Sequence, residues 1–417
     1  MTNGEHRSGR RGALSRRQVI AAAGSGAALA AFGSRPRGAP AQAPTIKIGL
    51  LHPVTGPLAY SGTQSRAGAL MALQQINDAG GIASMGGARL EPILADAQSK
   101  PEVGAAEVDR LNDAGVSIIQ GPYASGIALA TTQAAARHNL PHLVDVGVAD
   151  SIMDRGLPNI FRFAPGLGKV TQVALANLVA INDAAGKPAK TVVIVHEDSA
   201  FGTGMAKVLN DELPQRGFRI LETLSHPTPT RDFTNIVLKV KAANADLVIP
   251  SNYLNEYILF ARTMRQQRVS PKAIYSILGG AASNIRFVHD YNDAAQYVMD
   301  CNHWYDPRKP QSQAFLKAVE AKKLDLTYEV MLNYACMQVI ADSLERAASA
   351  DRAKLAAALA ASTFAGHIMP YGPTKFVKGQ NQGAQPVNTQ IRGEAIEVIF
   401  PREFATAAPV FPMPSRG

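Results

Sequence analysis

The chain has 417 residues, 46% of them hydrophobic and 18% charged, with a formal net charge of +9. That composition is ordinary for a soluble globular protein, and the length exceeds what one compact core accommodates, which predicts two domains. The basicity is concentrated at the start: residues 1–43 hold seven arginines and one acid, leaving 35 basic and 32 acidic residues without a basic stripe, so nucleic-acid binding loses its support.

The first predicted element is a leader. Ser15-Arg16-Arg17-Gln18-Val19-Ile20 precedes the weakly hydrophobic AAAGSGAALAAFG, and small residues at Ala41 and Ala43 offer a cleavage site. This order resembles a twin-arginine export signal spanning residues 1–43, cleaved after Ala43 to release a soluble protein into the periplasm. The apolar run is too short to span a bilayer, so no membrane insertion of the mature chain is expected. No cysteine lies near the cleavage site, which argues against a lipid anchor.

After the leader, strand and helix patterns alternate. IKIGLL (46–51) reads as a strand, and a Gly56-Pro57 turn leads to a helical stripe over 65–78 that Gly80-Gly81 stops. Residues 89–96, 116–121 and 142–147 read as further strands, with a helix over 126–139 among the segments between them. A second series repeats the rhythm, with strands over 191–198, 218–225, 245–250 and 272–279. Between and after the blocks, 159–165 and 295–302 read as crossover strands. Helical patterns then cover 311–324, 328–348 and 351–361, and a late strand is expected over 394–400. Short apolar runs alternating with helices predict an α/β fold of two doubly wound parallel-sheet lobes. The two cysteines, Cys301 and Cys336, fall in a strand-like run and a long helical run, which favours buried free thiols although an oxidising compartment would permit a bridge.

Tests for catalysis fail one by one. GPYASG (121–126) has Tyr123 where a nucleophile elbow needs glycine, and His196-Glu197 is followed by Ala200 rather than a second zinc ligand. Pro141 breaks the helix that would align His138 with His142, and no phosphate-binding glycine motif follows a strand. No nucleophile–base pair, metal site or cofactor motif emerges.

Six segments occur in order: IKIGLLHPVTGPLAYSG, GALMALQQINDAGGI, IIQGPYAS, IVHEDSAFGTGMAKVL, RDFTNIVLKVKAANADLVI and YGPTKFVKG. Together they resemble type I periplasmic binding proteins, in the branch serving branched-chain amino-acid ABC importers. The resemblance implies two lobes joined by three crossover strands, no enzymatic activity, and a monomer whose partners are a small-molecule ligand and the importer's permease subunits. It implies a first lobe of 44–162 with 302–371, a second of 163–301 with 385–417, and a third crossover region at 372–384.

In such proteins serine and backbone amides receive a ligand carboxylate, a threonine and a glutamate receive an ammonium, and a far-lobe tyrosine closes over both. Carried over by position, the serine is Ser125 and the tyrosine Tyr253. The threonine becomes Val148, the glutamate Leu278, and a further pocket tyrosine Phe201. A cleft so changed suits a carboxylic acid with an apolar or aromatic body. An α-amino acid would leave its ammonium unpaired unless Asp145 or Glu256 substitutes. His52, Tyr60, Ser61 and Tyr123 flank loops at predicted strand ends, where doubly wound sheets bind ligands, and Trp304 follows the second crossover. A hydrophobic amino acid as ligand, and a sensing receptor that signals to a regulator, remain the alternatives.

Overall fold

Short runs rich in Val, Ile and Leu, buried on both faces, demand parallel pairing between layers of helix. The computed structural model describes residues 45–415, so the leader lies outside the described residues. In the first lobe, β1 (Thr45–His52), β2 (Arg89–Asp96), β3 (Ile118–Gln120), β4 (His142–Val144) and β5 (Ile160–Arg162) pair in parallel in the order β2-β1-β3-β4-β5. In the second, β6 (Thr191–Glu197), β7 (Arg219–His226), β8 (Leu247–Ser251), β9 (Ala273–Ile277) and β10 (Met299–Asn302) repeat that order as β7-β6-β8-β9-β10. The chain then returns to the first sheet with β11 (Phe376–Val377) and β12 (Gln380–Asn381), and closes the second with the antiparallel β13 (Val387–Arg392) and β14 (Ala395–Phe400). Each sheet therefore has seven strands.

Helices α1 (Ala59–Asp78), α2 (Pro101–Asp113), α3 (Ser125–Arg137) and the short α4 (Ser151–Asp154) link strands of the first sheet. The second lobe has α5 (Leu167–Ala184), α6 (Ala200–Gln215), α7 (Thr234–Ala243), α8 (Leu254–Gln266), α9 (Ile285–Asp290) and α10 (Asn292–Ala295). Then α11 (Pro310–Ala321), α12 (Tyr328–Ala347) and α13 (Arg352–Ala360) follow, with α12 packed on α1. That packing is close because α1 carries Gly68, where a Cβ would stand 2.3 Å from the carbonyl oxygen of Val330. Among the described residues no helix is long and apolar enough to cross a membrane.

The chain passes between the sheets after β5, after β10 and between β12 and β13. Residues 376–381 pair in the first sheet, so the third passage occupies 382–386 rather than the whole of 372–384. Cys301 on β10 and Cys336 on α12 are buried and free.

Strand order reverses between β1 and β3 in one sheet and between β6 and β8 in the other. Loops at the carboxyl ends of those pairs diverge there and open a crevice, the place where doubly wound sheets hold ligands. Contacts between segments of the two lobes span the mouth of the crevice. Ile285 N–H donates to Leu326 O at 3.3 Å, Tyr328 N–H to Ser283 O at 3.4 Å, and the Asn255 amide to Pro57 O at 3.2 Å. The Arg286 guanidinium lies 5.2 Å from the centre of the Tyr60 ring.

Candidate ligand-binding cleft

Helix α3 starts immediately beyond β3, and its first turn makes no side-chain cap hydrogen bond. Its leading N–H groups, at the positive end of the helix dipole, are therefore open to an anion. By strand order the equivalent helix of the second lobe is α8, which also makes no side-chain cap hydrogen bond but carries Glu256 in its first turn. At the start of α6, Glu197 accepts from Ser199 N and Gly202 N, so that helix start has a carboxylate too. With an acid beside each of these second-lobe helix starts, the α3 side is the better placed to receive a ligand's negative charge.

Ser125 stands at this helix start. Its Oγ accepts from Val148 N at 3.2 Å and Ala149 N at 3.1 Å, which leaves the hydroxyl hydrogen to be donated. The opposite side of the 148–149 segment is held by Arg162, whose Nη1 donates to Val148 O at 2.7 Å and Ala149 O at 2.8 Å. Arg162 also bonds Gln380 and faces Asp150 across 3.4 Å. Burial lowers its pKa to about 10, which still leaves a full positive charge behind the serine at neutral pH.

In front of Ser125 the space between atoms, open solvent included, is about 350 Å³. Six residues singled out from the sequence line it: Ser125, Tyr253, Phe201, Val148, Leu278 and Tyr123. The Tyr253 ring lies 5.8 Å from Tyr123 and 5.6 Å from Phe201, so an aromatic cluster crosses from one lobe to the other. Burial pushes the phenols of Tyr123 and Tyr253 well above their ordinary values, and both stay neutral donors. Leu278 has a left-handed backbone with φ of 55°, a costly conformation for leucine that its N–H bond to Cys301 O helps to hold.

The other five candidates lie outside the lining. His52 and Asp145 satisfy each other instead: Nε2 lies 3.0 Å from Asp145 Oδ2 and 3.0 Å from Asn333 Oδ1, both buried. Gln120 extends this network by donating to Asn333 Oδ1 at 2.9 Å. Ser61 is buried beside Tyr123 and Glu329. Tyr60 stands at the mouth, donating to Asp325 at 2.5 Å. Trp304 packs into the core beside Tyr305, with ring centres 5.8 Å apart. Glu256 is also outside the lining, buried near Thr230 and His226. Neither acid that might have replaced the missing ammonium partners faces the cavity.

The remaining lining residues are Val146, Asn252, Gly280, Asn302, His303 and Tyr328. Asn252 adjoins Tyr253 and His303 adjoins Trp304, so their neighbours in sequence pointed to the right loops. Tyr328 opens α12 and bonds Tyr123, hydroxyl to hydroxyl, at 3.0 Å. Behind this pair Glu329 is fully buried with neither oxygen in a well-formed hydrogen bond, and burial raises its pKa to about 7 despite moderation by Ser61. Among the described residues no cluster of three or more His, Cys, Asp or Glu could hold a metal.

A family model described as a periplasmic binding protein matches residues 45–390. The Leu/Ile/Val-binding protein homolog 7 of Brucella melitensis biotype 1 is 29% identical over 375 residues, which cover 87% of this chain and 93% of the relative. The substrate-binding protein LivJ of Streptococcus pneumoniae, solved with isoleucine, has a TM-score of 0.72 at 22% identity, covering 86% of this chain and 100% of its own. An ABC transporter solute-binding protein from R. palustris, solved with benzoate, has a TM-score of 0.73 at 20% identity, covering 88% of this chain and 97% of its own. The two lobes thus have the type I periplasmic binding protein fold. Fold, cleft and family match agree: the chain belongs to the periplasmic binding protein family, as a binding protein rather than an enzyme.

Proposed function

We propose that the protein captures a carboxylic acid with an apolar or aromatic body between its lobes and presents it to the permease of an ABC importer. The observation that carries this reading is the lining itself: Ser125 and open amides meet an anion, while no acidic side chain faces the cavity to neutralise an ammonium. An amino acid would bury its cation unpaired, at a cost of several kcal/mol. The charge of Arg162 behind the anion site adds to that bias. Ser15-Arg16-Arg17 and the run after it support export by the twin-arginine route with cleavage after Ala43, placing the mature protein in the periplasm.

The test is a thermal-shift screen of the mature protein against aromatic acids, aliphatic acids, dicarboxylates, amides and aliphatic amino acids. An acid at about 100 times its dissociation constant adds about 2.7 kcal/mol of stability. Strong shifts with leucine or valine, and none with acids lacking the amine, would sink the reading. A branched-chain amino acid is the second reading, favoured by the name of the Brucella relative and by the isoleucine in the Streptococcus structure. A sensing role would appear as co-purification with a kinase rather than with a permease.

A further inference from the structure

His303 lines the cavity at 1% exposure, and neither ring nitrogen has a hydrogen-bond partner. Leaving such groups unpaired costs a protein free energy unless a ligand meets them. Its polar neighbours in the lining are already engaged. The Asn302 amide donates to Asp300 at 2.9 Å and its oxygen accepts from His303 N at 2.8 Å. Tyr123 and Tyr328 bond each other, and Ser125 is held by the amides of Val148 and Ala149. His303 is an uncommitted polar side chain of this wall.

We propose that the ligand carries, besides its carboxylate, an uncharged hydroxyl that His303 receives. The inference rests on the carboxylic-acid reading above and deepens it to the class of hydroxy acids with an apolar or aromatic body. The geometry selects a hydroxyl over other groups. A carboxylate needs several donors, which Ser125 and the α3 amides supply and one imidazole does not. An ammonium would lie near Arg162; burial, with a further push from that charge, already lowers the pKa of His303 to about 3 and keeps the ring neutral. A neutral imidazole has one N–H and one lone pair, and a hydroxyl can satisfy whichever of them faces the cavity. A ketone or ether suits only one tautomer.

Isothermal titration of the mature protein with benzoate, 3-hydroxybenzoate and 4-hydroxybenzoate tests this directly. One of the hydroxy acids is expected to bind at least about tenfold tighter than benzoate, because a site built for a hydroxyl penalises its absence. In His303→Phe that preference should collapse, read as the ratio of the two affinities, with His303→Asn restoring part of the ratio. Imidazole nitrogen shifts in the wild type give a readout that needs no variant: the His303 signals should move with the preferred hydroxy acid and not with benzoate. Equal binding of all three acids, or a preference that survives in His303→Phe, overturns the proposal and leaves the carboxylic-acid reading standing. Amino acids binding while no acid does would overturn both.

Discussion

Val148 and Leu278 line the cavity and present hydrocarbon at the positions where, on the proposed reading, an α-amine would require oxygen. Restoring oxygen should restore the amine. The double variant Val148→Thr with Leu278→Glu is expected to gain at least about tenfold in leucine affinity and to lose as much for benzoate, since specificity needs a repulsive element as well as an attractive one. Titration calorimetry of both ligands would show it, and unchanged affinities would mean that these positions do not face the ligand's α-carbon. Glu329 supports a different prediction. Burial raises its pKa from the ordinary 4.5 to about 7, so the folded protein holds that proton more tightly than the unfolded chain does. A group of this kind contributes most below about pH 4.5 and loses its contribution as pH rises to about 7, a difference on the order of 3 kcal/mol. Glu329→Gln should therefore melt above wild type at pH 8, with an advantage that shrinks toward pH 5. A difference independent of pH would show that the carboxyl does not titrate in this range.

Between elements, the seam of α1 and α12 depends on a missing side chain. Gly68→Ala would drive a Cβ toward the Val330 carbonyl and should destabilise by about 1–3 kcal/mol. Gly204→Ala, on α6, meets nothing nearer than Leu167 Cδ1 at 3.7 Å and should stabilise by up to about 1 kcal/mol through helix propensity. Comparison of the two in urea separates packing from propensity. Elements were legible in the sequence to the extent that they announce themselves by hydrophobic period. β6 and β8 do so as unbroken apolar runs, and β1 as an apolar run broken by Lys47. The first turn of α1 does not, because Ser61, Gly62 and Thr63 lie between the Gly56-Pro57 turn and the apolar stripe. β13 escapes for a deeper reason. Its buried Asn388, Thr389 and Gln390 are polar, and Asn388 and Gln390 are paid for by bonds to Tyr275 and to the Tyr297 and Val410 carbonyls. Within the cleft, residues on loops between strong strands and helices could be placed by position. His303 and Tyr328 lie beyond the second passage between lobes, and periodicity says nothing about where that passage leads. His52 and Asp145 misled because a strand-end histidine and a strand-end acid resemble pocket residues until they are seen to satisfy each other.

At the scale of the whole molecule, the proposed function makes binding a contest between separated and joined lobes, in which contacts remote from the cavity favour the joined form. Asn255 and Arg286 reach across the mouth without touching Ser125 or its neighbours. Removing both, Asn255→Ala with Arg286→Ala, should raise the dissociation constant of the ligand by about five- to thirtyfold. Small-angle scattering should still recover the compact form once ligand is saturating. An unchanged dissociation constant would show that the mouth contacts do not bias closure.

The return of α12 to α1 also orders the making of the protein. While residues 45–162 leave the ribosome, the inner face of α1 has no covering, because the helix that seals Gly68 begins at Tyr328. The strands beyond β5 that complete the first sheet arrive later still, at residues 376–381. The second lobe is drawn largely from one unbroken run, 167–302, and lacks only its closing pair of strands. Contacts so distant along the chain form slowly, whereas nearby ones form early. The run 167–302 is therefore equipped to settle first, while residues 45–162 must wait for segments made after that run is complete.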